Sequence, residues 1–496
     1  MKLFQRFLFM MLVLTMVLLA FAACRDNGAS GDTEKPDTTT GTDTTTAPVT
    51  TAPVTTEPTT EPVTDPPVTN PPVTNPPVTN PPVTNPPVTE PPLVVFGGEA
   101  LGKVIGKTLA KTFVGDDFLG EGGYEMYRYE NCSSVDYEAM FDYYENEGWR
   151  LYCEDFAKNT QSCTYVKKDA YATVLFSTMT SQLHVTVSET GASNLPVQST
   201  DDAKFYPVTL TQPKTIQQGM CEIFRLADGT FLIFDGSNNG SHDTIWSTLV
   251  ELNGGTAQNI HIRAWVLTHS HNDHYGGFRG FSMSYSSMVK LDYVLFAPVN
   301  REIWDTVEAY KPIKGNTWDT IDYSFNREKN GAKSRVQTWV ENFAGAKLCV
   351  VHAGQIFSMG GADLRILYTP EHLYVDQIPT DMNHSSMICH VESSEGKALI
   401  TGDAGAGAKT WLMNVYQDDL KSDIYQHPHH GMTQTGDVTL ATWTQAKIVL
   451  IPCTVEYYKK NANARTETIR NMSHVVASHV MGEGTVTYRL NGTRVN

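Results

Sequence analysis

With 496 residues the chain is too long for a single hydrophobic core, so more than one domain is expected. Apolar residues make up 41% and charged residues 18%, which suits globular domains joined by a polar, uncharged linker. Residues 1–200 carry most of the net charge of −17; residues 201–496 hold 25 Lys and Arg against 30 Asp and Glu, and no basic run occurs, which excludes a strong sequence-independent grip on nucleic acid.

The N-terminus places Lys2 and Arg6 before an apolar stretch from Phe7 to Ala23, ending Phe21-Ala22-Ala23-Cys24. Small residues before a lone Cys resemble a bacterial lipobox, with Phe21 standing where Leu is usual. Residues 1–24 are therefore expected to be a lipoprotein signal peptide with Cys24 lipidated; the alternative is an uncleaved signal anchor. Either places the remaining chain outside the cytoplasm, anchored at the membrane of the bacterial cell surface. Residues 25–93 are rich in Thr and Pro, and Pro-Pro-Val-Thr-Asn repeats four times from Pro66, with a fifth copy ending in Glu90. Proline removes backbone donors and favours extended geometry, so this segment is expected to be a disordered, semi-rigid spacer.

Residues 94–192 are expected to form a small α+β domain of unreadable role. Tyr137, Met140, Phe141 and Tyr144 lie at helical spacing, and strand-like stretches follow at Arg150–Phe156, Ser162–Lys167, Ala172–Thr178 and His184–Ser188. The eight cysteines include no C-x-x-C pair, which argues against a thiolate zinc site. Cys132, Cys153 and Cys163 are close enough in sequence for one disulfide, but buried small hydrophobes are the favoured reading.

From about residue 200 to 496 strands alternate with helices. Met220–Leu226 and Phe231–Phe234 read as a hairpin around Ala227-Asp228-Gly229-Thr230. His242–Leu252 reads as a helix and Arg263–Leu267 as a buried strand. Further strands are expected at Leu291–Phe296, Ala346–Val351, Leu364–Tyr368, Ser386–Val391 and Ala398–Thr401, with helices at Trp304–Tyr310 and Ser334–Phe343. Two packed sheets with helices outside would accommodate this order.

The stretch Thr268-His269-Ser270-His271-Asn272-Asp273-His274-Tyr275-Gly276-Gly277 follows the buried strand directly. Three histidines and an aspartate within six residues are hard to explain as packing, and imidazole and carboxylate are the usual nitrogen and oxygen ligands of zinc. On a tight loop His269 and His271 can turn one way, and Asp273 and His274 the other, so one loop can serve two ions.

This stretch resembles the H-x-H-x-D-H motif of the metallo-β-lactamase superfamily. In the same order come Phe234-Asp235-Gly236 upstream, Thr401-Gly402-Asp403 at the end of a later strand, and His427-Pro428-His429-His430-Gly431. With Asn383-His384-Ser385-Ser386 before the Thr-Gly-Asp strand, the pattern looks like the hydrolase-like domain of the competence protein ComEC, although Met432 replaces its Ser and no channel segments accompany it. The resemblance implies an α/β fold, an αββα metallo-β-lactamase sandwich over residues 200–496 preceded by the small α+β domain. It implies one or two metal ions, zinc foremost, with Mn²⁺ or iron as alternatives. His269 and His271 would hold the first ion, with His384 as third ligand or else with Asp403 alone; Asp273, His274 and one of the pair His429 and His430, His429 foremost, would hold the second; and Asp403 would bridge them. Asp235 and Asn383 would support the ligands. His430, with Asp273, would act in catalysis, His430 by protonating the leaving group or binding a phosphate oxygen.

The expected activity is metal-dependent hydrolysis by hydroxide made available at neutral pH, of the phosphodiester type, on a small-molecule or polymeric phosphate-containing substrate. The alternatives are hydrolysis of a lactone, amide, thioester or β-lactam, and a non-catalytic surface binding module. His184, His242, His261, His352, His372, His390, His474 and His479 read as surface or satisfied core residues, and Tyr457-Tyr458-Lys459-Lys460 as an ordinary exposed loop.

Overall fold

Two seven-stranded sheets, each built to the same plan, frame the C-terminal part of the computed structural model. In the first the strand order is Lys347–Val350, Val289–Phe296, Ile260–Leu267, Phe231–Phe234, Glu222–Arg225, Thr209–Gln212 and Val486–Arg489. The first four run parallel and the rest antiparallel. In the second the order is Ile356–Met359, Ala362–Tyr368, Ile388–Ser393, Gly396–Ile400, Ile424–Gln426, Ile448–Ile451 and Ala477–Val480. Here an antiparallel meander gives way to parallel strands from Gly396–Ile400 onward. The structure describes residues 97–116, 122–199, 205–215, 217–306, 324–328, 331–377, 379, 381–432 and 436–495. The signal peptide and linker expected over residues 1–93 lie outside these residues, as does most of the helix expected at Trp304–Tyr310.

Parallel neighbours require crossovers, and helices supply them. His242–Leu252 links Phe231–Phe234 to Ile260–Leu267, and Ala406–Tyr416 links Gly396–Ile400 to Ile424–Gln426. The hairpin around residue 229 forms as the turn residues suggest: Gly229 takes a positive φ of 86°, and Asp228 accepts hydrogen bonds from the Thr230 amide and hydroxyl. Alternation within each strand sorts side chains between two cores. In the first sheet Leu232, Phe234, Ala264 and Val266 face Leu364, Ile366, Val391, Ala398 and Ile400 of the second. Phe231, Ile233, Trp265 and Leu267 instead meet Ile245, Leu249, Phe278 and Phe281 of the outer helices. Tyr368, Leu399, Tyr425 and Val449 meet Leu412, Val415 and Leu440 on the far side. The architecture is the αββα sandwich expected, two sheets face to face with a helical layer on each outside.

The N-terminal part is a six-stranded antiparallel sheet, ordered Leu109–Val114, Tyr124–Tyr129, Gln182–Ser188, Ala170–Ser177, Thr160–Lys167 and Arg150–Phe156. The helices Gly98–Ile105 and Ser134–Asn146 cover one face, with Tyr137, Met140, Phe141 and Tyr144 against Tyr129, Tyr165, Val174 and Val185. The opposite face docks on the sandwich through buried and partly buried polar contacts. Tyr171 OH meets His352 Nε2 at 2.7 Å, Ser177 donates to Val415 O at 2.9 Å, and Arg128 donates to Asp376 at 2.9 Å. The first helix and the first two strands of this sheet add to the elements read from sequence. All seven cysteines of the described residues are free, and six are buried, so no disulfide joins Cys132, Cys153 and Cys163.

Candidate metal centre

The candidate site lies where the parallel strands of both sheets end, the edge at which open α/β sheets place ligands. From the first sheet, Phe231–Phe234 ends in Asp235, and Ile260–Leu267 ends in Thr268 and the histidine motif. From the second, Gly396–Ile400 ends in Asp403 and Ile424–Gln426 ends in residues 427–431.

The motif is not one loop, as its sequence suggested. His271 caps the helix Asn272–Ser284, so Asp273 and His274 stand on its first turn while His269 still belongs to the strand end. Three glycines in this helix hide it from propensity, yet close packing requires them. A Cβ on Gly277 would collide with the carbonyl oxygen of Gly236, and one on Gly280 would strike the His242 ring. The helix N-terminus is thereby pressed against the strand that carries Asp235.

Asp235 is fully buried and adopts a positive φ of 54°. Its carboxylate accepts from the Thr268 amide and hydroxyl, both at 2.7 Å, and from His274 Nδ1 at 2.6 Å. That last bond fixes the ring so that His274 Nε2 faces Asp403 Oδ2 at 3.2 Å. His430 is oriented the same way from the other sheet. Its Nδ1 donates to Pro452 O at 2.8 Å, leaving Nε2 at 3.1 Å from both Asp273 and Asp403. Ser386 Oγ accepts the Asp403 amide at 3.1 Å. His269 Nε2 and His271 Nδ1 are 3.0 Å apart.

Two sets of ligand atoms result, each within 4.8 Å of one another: His269, His271 and Asp403, and Asp273, His274 and His430. Among the described residues several of these atoms are buried with no hydrogen bond to satisfy them, namely His274 Nε2, His430 Nε2 and Asp403 Oδ1. Buried polar atoms normally find partners. Here imidazole nitrogens and carboxylate oxygens converge without hydrogen-bond geometry, and the donor set is the one zinc, manganese and iron accept. The residues fit a divalent cation in each set.

The electrostatics agree. Burial opposes charge on His274, but the Asp403 and Asp235 carboxylates outweigh it and hold the ring well above its usual range. Burial likewise opposes charge on His430, yet Asp403 and Asp273 push it up to about 10. Burial would raise the Asp273 and Asp403 carboxyls, but the adjoining imidazoles hold both below the carboxylate range. Burial, reinforced by its neighbours His274 and His271, keeps His269 well below the histidine range. The centre draws positive charge to itself, whether as protons on imidazole or as a cation.

Two expected ligands fall elsewhere. His430, not His429, joins Asp273 and His274. Both residues take positive φ, 51° and 56°, so their side chains diverge, and the bond to Pro452 selects His430. His429 Nε2 lies 3.4 Å from Asn383 Nδ2. His384 belongs to neither set; its ring covers Gly405, where any side chain would collide with it. His427 is buried outside both sets, its Nδ1 at 2.9 Å from Pro428 O. Tyr457, read as part of an exposed loop, is half-buried on the helix Val455–Asn461, its amide bound by the capping Thr454 at 3.1 Å. Burial, then the nearby charges of Asp403 and Asp273, push its phenol up to about 12. No motif marks this tyrosine; only its place just past a site strand could have pointed to it.

No family model and no curated protein matches the chain. Solved structures of similar fold include YhfI of Bacillus subtilis, a metallo-β-lactamase fold protein. It is 11% identical over 57% of this chain and 99% of its own, with a TM-score of 0.33. The short form of human tRNase Z is 13% identical over 51% of this chain and 94% of its own, at 0.29. CmlA, a diiron β-hydroxylase from Streptomyces venezuelae, is 12% identical over 77% of this chain and 76% of its own, at 0.34. Similarity at this level says nothing about the reaction.

Proposed function

We propose that the chain is an exported, metal-dependent phosphodiesterase that works with two cations held at the strand ends. The observation that carries the two-cation reading is the position of Asp403. It belongs to the first ligand set and also lies 3.2 and 3.1 Å from His274 and His430 of the second. One carboxylate thus joins both sets. Cations held by His269, His271 and Asp403 and by Asp273, His274 and His430 would make hydroxide available near neutral pH and would offset negative charge on attacking and leaving oxygens.

The protein's own contribution is positional. Asp235 and Pro452 O each hold the far nitrogen of an imidazole, fixing tautomer and ring plane so that the near nitrogen of His274 or His430 faces inward. Asp273 brings a carboxylate to the mouth of the second set, on a helix whose N-terminal dipole favours negative charge. Burial of His269, His274 and Asp403 keeps the inner wall dry, which strengthens each electrostatic contact. The preference for a phosphodiester rests on the sequence pattern Asn383-His384-Ser385-Ser386, Thr401-Gly402-Asp403 and His429-His430-Gly431. A signal peptide ending at Cys24 would set the enzyme on a membrane surface, where a headgroup, a wall polymer or a released nucleotide diester could reach it.

The test is hydrolysis of bis(p-nitrophenyl) phosphate by the purified full chain, with and without chelator, beside an Asp273→Ala, His274→Ala variant. Turnover that chelator and variant both abolish is expected. A folded, metal-loaded protein without turnover would overturn the phosphodiesterase reading and favour carbonyl hydrolysis or a binding role.

A further inference from the structure

Beside the first ligand set lies a polar pair that neither set uses. Asn383 is buried in the short 3-10 turn Met382–Ser385. Its backbone N–H donates to Asp381 Oδ1 at 3.0 Å, and Tyr368 OH donates to the His384 carbonyl of the same turn at 3.1 Å. The next residues continue into the site: Ser386 holds the Asp403 amide, and the Met387 amide donates to Thr268 O at 2.9 Å. The turn is therefore fastened to both strand ends that carry ligands.

His429 comes to Asn383 from the other sheet. Its amide donates to Gly402 O at 3.3 Å, next to Asp403, and its ring lies 3.4 Å from the Asn383 amide group. It begins a run of three residues with positive φ, His429, His430 and Gly431 at 51°, 56° and 78°. Two consecutive non-glycine residues in this region cost energy, and such strain collects at functional sites. The strain here points one histidine into the ligand set and the other to Asn383.

Among the described residues the side-chain amide of Asn383 is only half satisfied. His429 Nε2 meets its Nδ2, and its Oδ1 is buried without a hydrogen bond. An amide and an imidazole can exchange donor and acceptor roles by a flip of one and a tautomer change of the other. With the amide flipped and the imidazole N–H donated to the Asn383 oxygen, the amide N–H₂ takes the place of the unpartnered oxygen, on the turn that is fastened to the ligand-bearing strand ends. A fixed donor with no partner among the described residues, on the turn whose Ser386 holds the Asp403 amide, suits an anionic oxygen.

We propose that Asn383 and His429 form a substrate-binding pair, in which Asn383 donates to a phosphoryl oxygen and His429 holds the amide in the orientation to do so. This rests on the phosphodiesterase reading and assigns His429 to the substrate rather than to a metal ion. Asn383 would touch the substrate; His429 acts through it and is a positioning residue.

The experiment uses the full chain loaded with Co²⁺, whose visible absorption reports on ligands at the centre. Inorganic phosphate is titrated into wild type, Asn383→Ala, Asn383→Asp and His429→Gln, with metal content and thermal midpoint measured for each and Asp403→Ala as the ligand control. Hydrolysis of bis(p-nitrophenyl) phosphate is followed in parallel. The expected result is wild-type metal content in all three pair variants. Phosphate affinity falls roughly tenfold or more in Asn383→Ala and His429→Gln, the size of one lost hydrogen bond to a charged group. It falls further in Asn383→Asp, which is nearly isosteric but repels the anion. Wild-type phosphate affinity in the variants overturns the pair while leaving the phosphodiesterase reading intact. Metal content in His429→Gln as low as in Asp403→Ala also overturns it, by making His429 a ligand. A wild-type protein that holds cobalt but neither binds phosphate nor hydrolyses the diester overturns the phosphodiesterase reading and the pair together.

Discussion

Two buried histidine clusters can be set side by side. At the strand ends, His269, His271, His274 and His430 stand among Asp235, Asp273 and Asp403. At the seam between the small sheet and the sandwich, His184 and His372 stand with their Nδ1 atoms 3.2 Å apart and the Trp411 ring 4.6 Å from His372. His269, His274, His430, Asp235 and Asp403 of the first cluster and both histidines of the second are buried, while His271 and Asp273 are partly exposed. Within the first cluster His274 and His430 are shifted the opposite way from the seam pair. Carboxylates lift His274 and His430 above the usual range, whereas burial, aided by Arg128, pushes His184 down to about 3, and burial with the neighbouring His184 does the same to His372. Burial alone neutralises an imidazole; only opposing charge reverses it. Histidines in a group are therefore weak evidence of a cation site until carboxylates join them.

Removing those carboxylates should turn the first cluster into the second. Asp403→Ala deletes a carboxylate that touches both ligand sets. Its metal affinity and its phosphodiester turnover are expected to fall by more than the roughly 10–100-fold typical of a residue one step behind a ligand. Metal analysis after desalting and the nitrophenolate assay both read this, and a variant that keeps its metal would break the comparison. Asp235→Asn is the milder form. It keeps the shape and the bond from Thr268 but loses the charge that holds His274, so a loss of roughly 10–100-fold in metal affinity is expected.

What the sequence disclosed follows the same division. His269, His271, Asp273 and His274 were legible because they are contiguous, and Asp235 and Asp403 because each ends a strand in a recognisable motif. The choice of His430 over His429 was not, since it depends on two left-handed residues and on a carbonyl 22 residues further along the chain. The αββα layers could be read from alternation in strands such as Ile260–Leu267. Tyr124–Tyr129 was missed because it is sandwiched: Tyr127 and Tyr129 face its own helices, Tyr124 and Met126 the second layer, so alternation is lost. Leu109–Val114 was missed for the opposite reason, being an edge strand with mostly exposed residues. His184 and His372 are 188 residues apart and nothing local pairs them.

The seam contains one buried carboxylate of its own, Glu371, which accepts from His352 Nδ1 at 2.9 Å and from Thr369 Oγ1 at 2.8 Å. If the two clusters are independent, Glu371→Leu should cost stability without touching the metal. It leaves two buried donors without a partner, at about 1–3 kcal/mol each. Urea unfolding measures the loss. A parallel drop in bound metal would show instead that the seam and the centre move together.

The smallest effect is also the sharpest for the seam, because it concerns only the sign of a slope. His184 and His372 are held near 3 in the folded chain and return to about 6.5 when it unfolds. As pH falls below about 6.5 the unfolded chain takes up protons that the folded chain refuses. Stability is therefore full above that pH and declines toward pH 3, by up to about 1.4 kcal/mol per pH unit for each histidine. Replacing both by Gln removes the two titrating groups, so the curve of unfolding free energy between pH 4 and 6.5 should flatten relative to wild type. His390→Gln, which removes a histidine buried and lowered to about 3 inside the second sheet, should flatten it by half as much. An unchanged slope in the double variant would mean that the seam opens to solvent before it protonates, and the contrast between the two clusters would then be one of access rather than of charge.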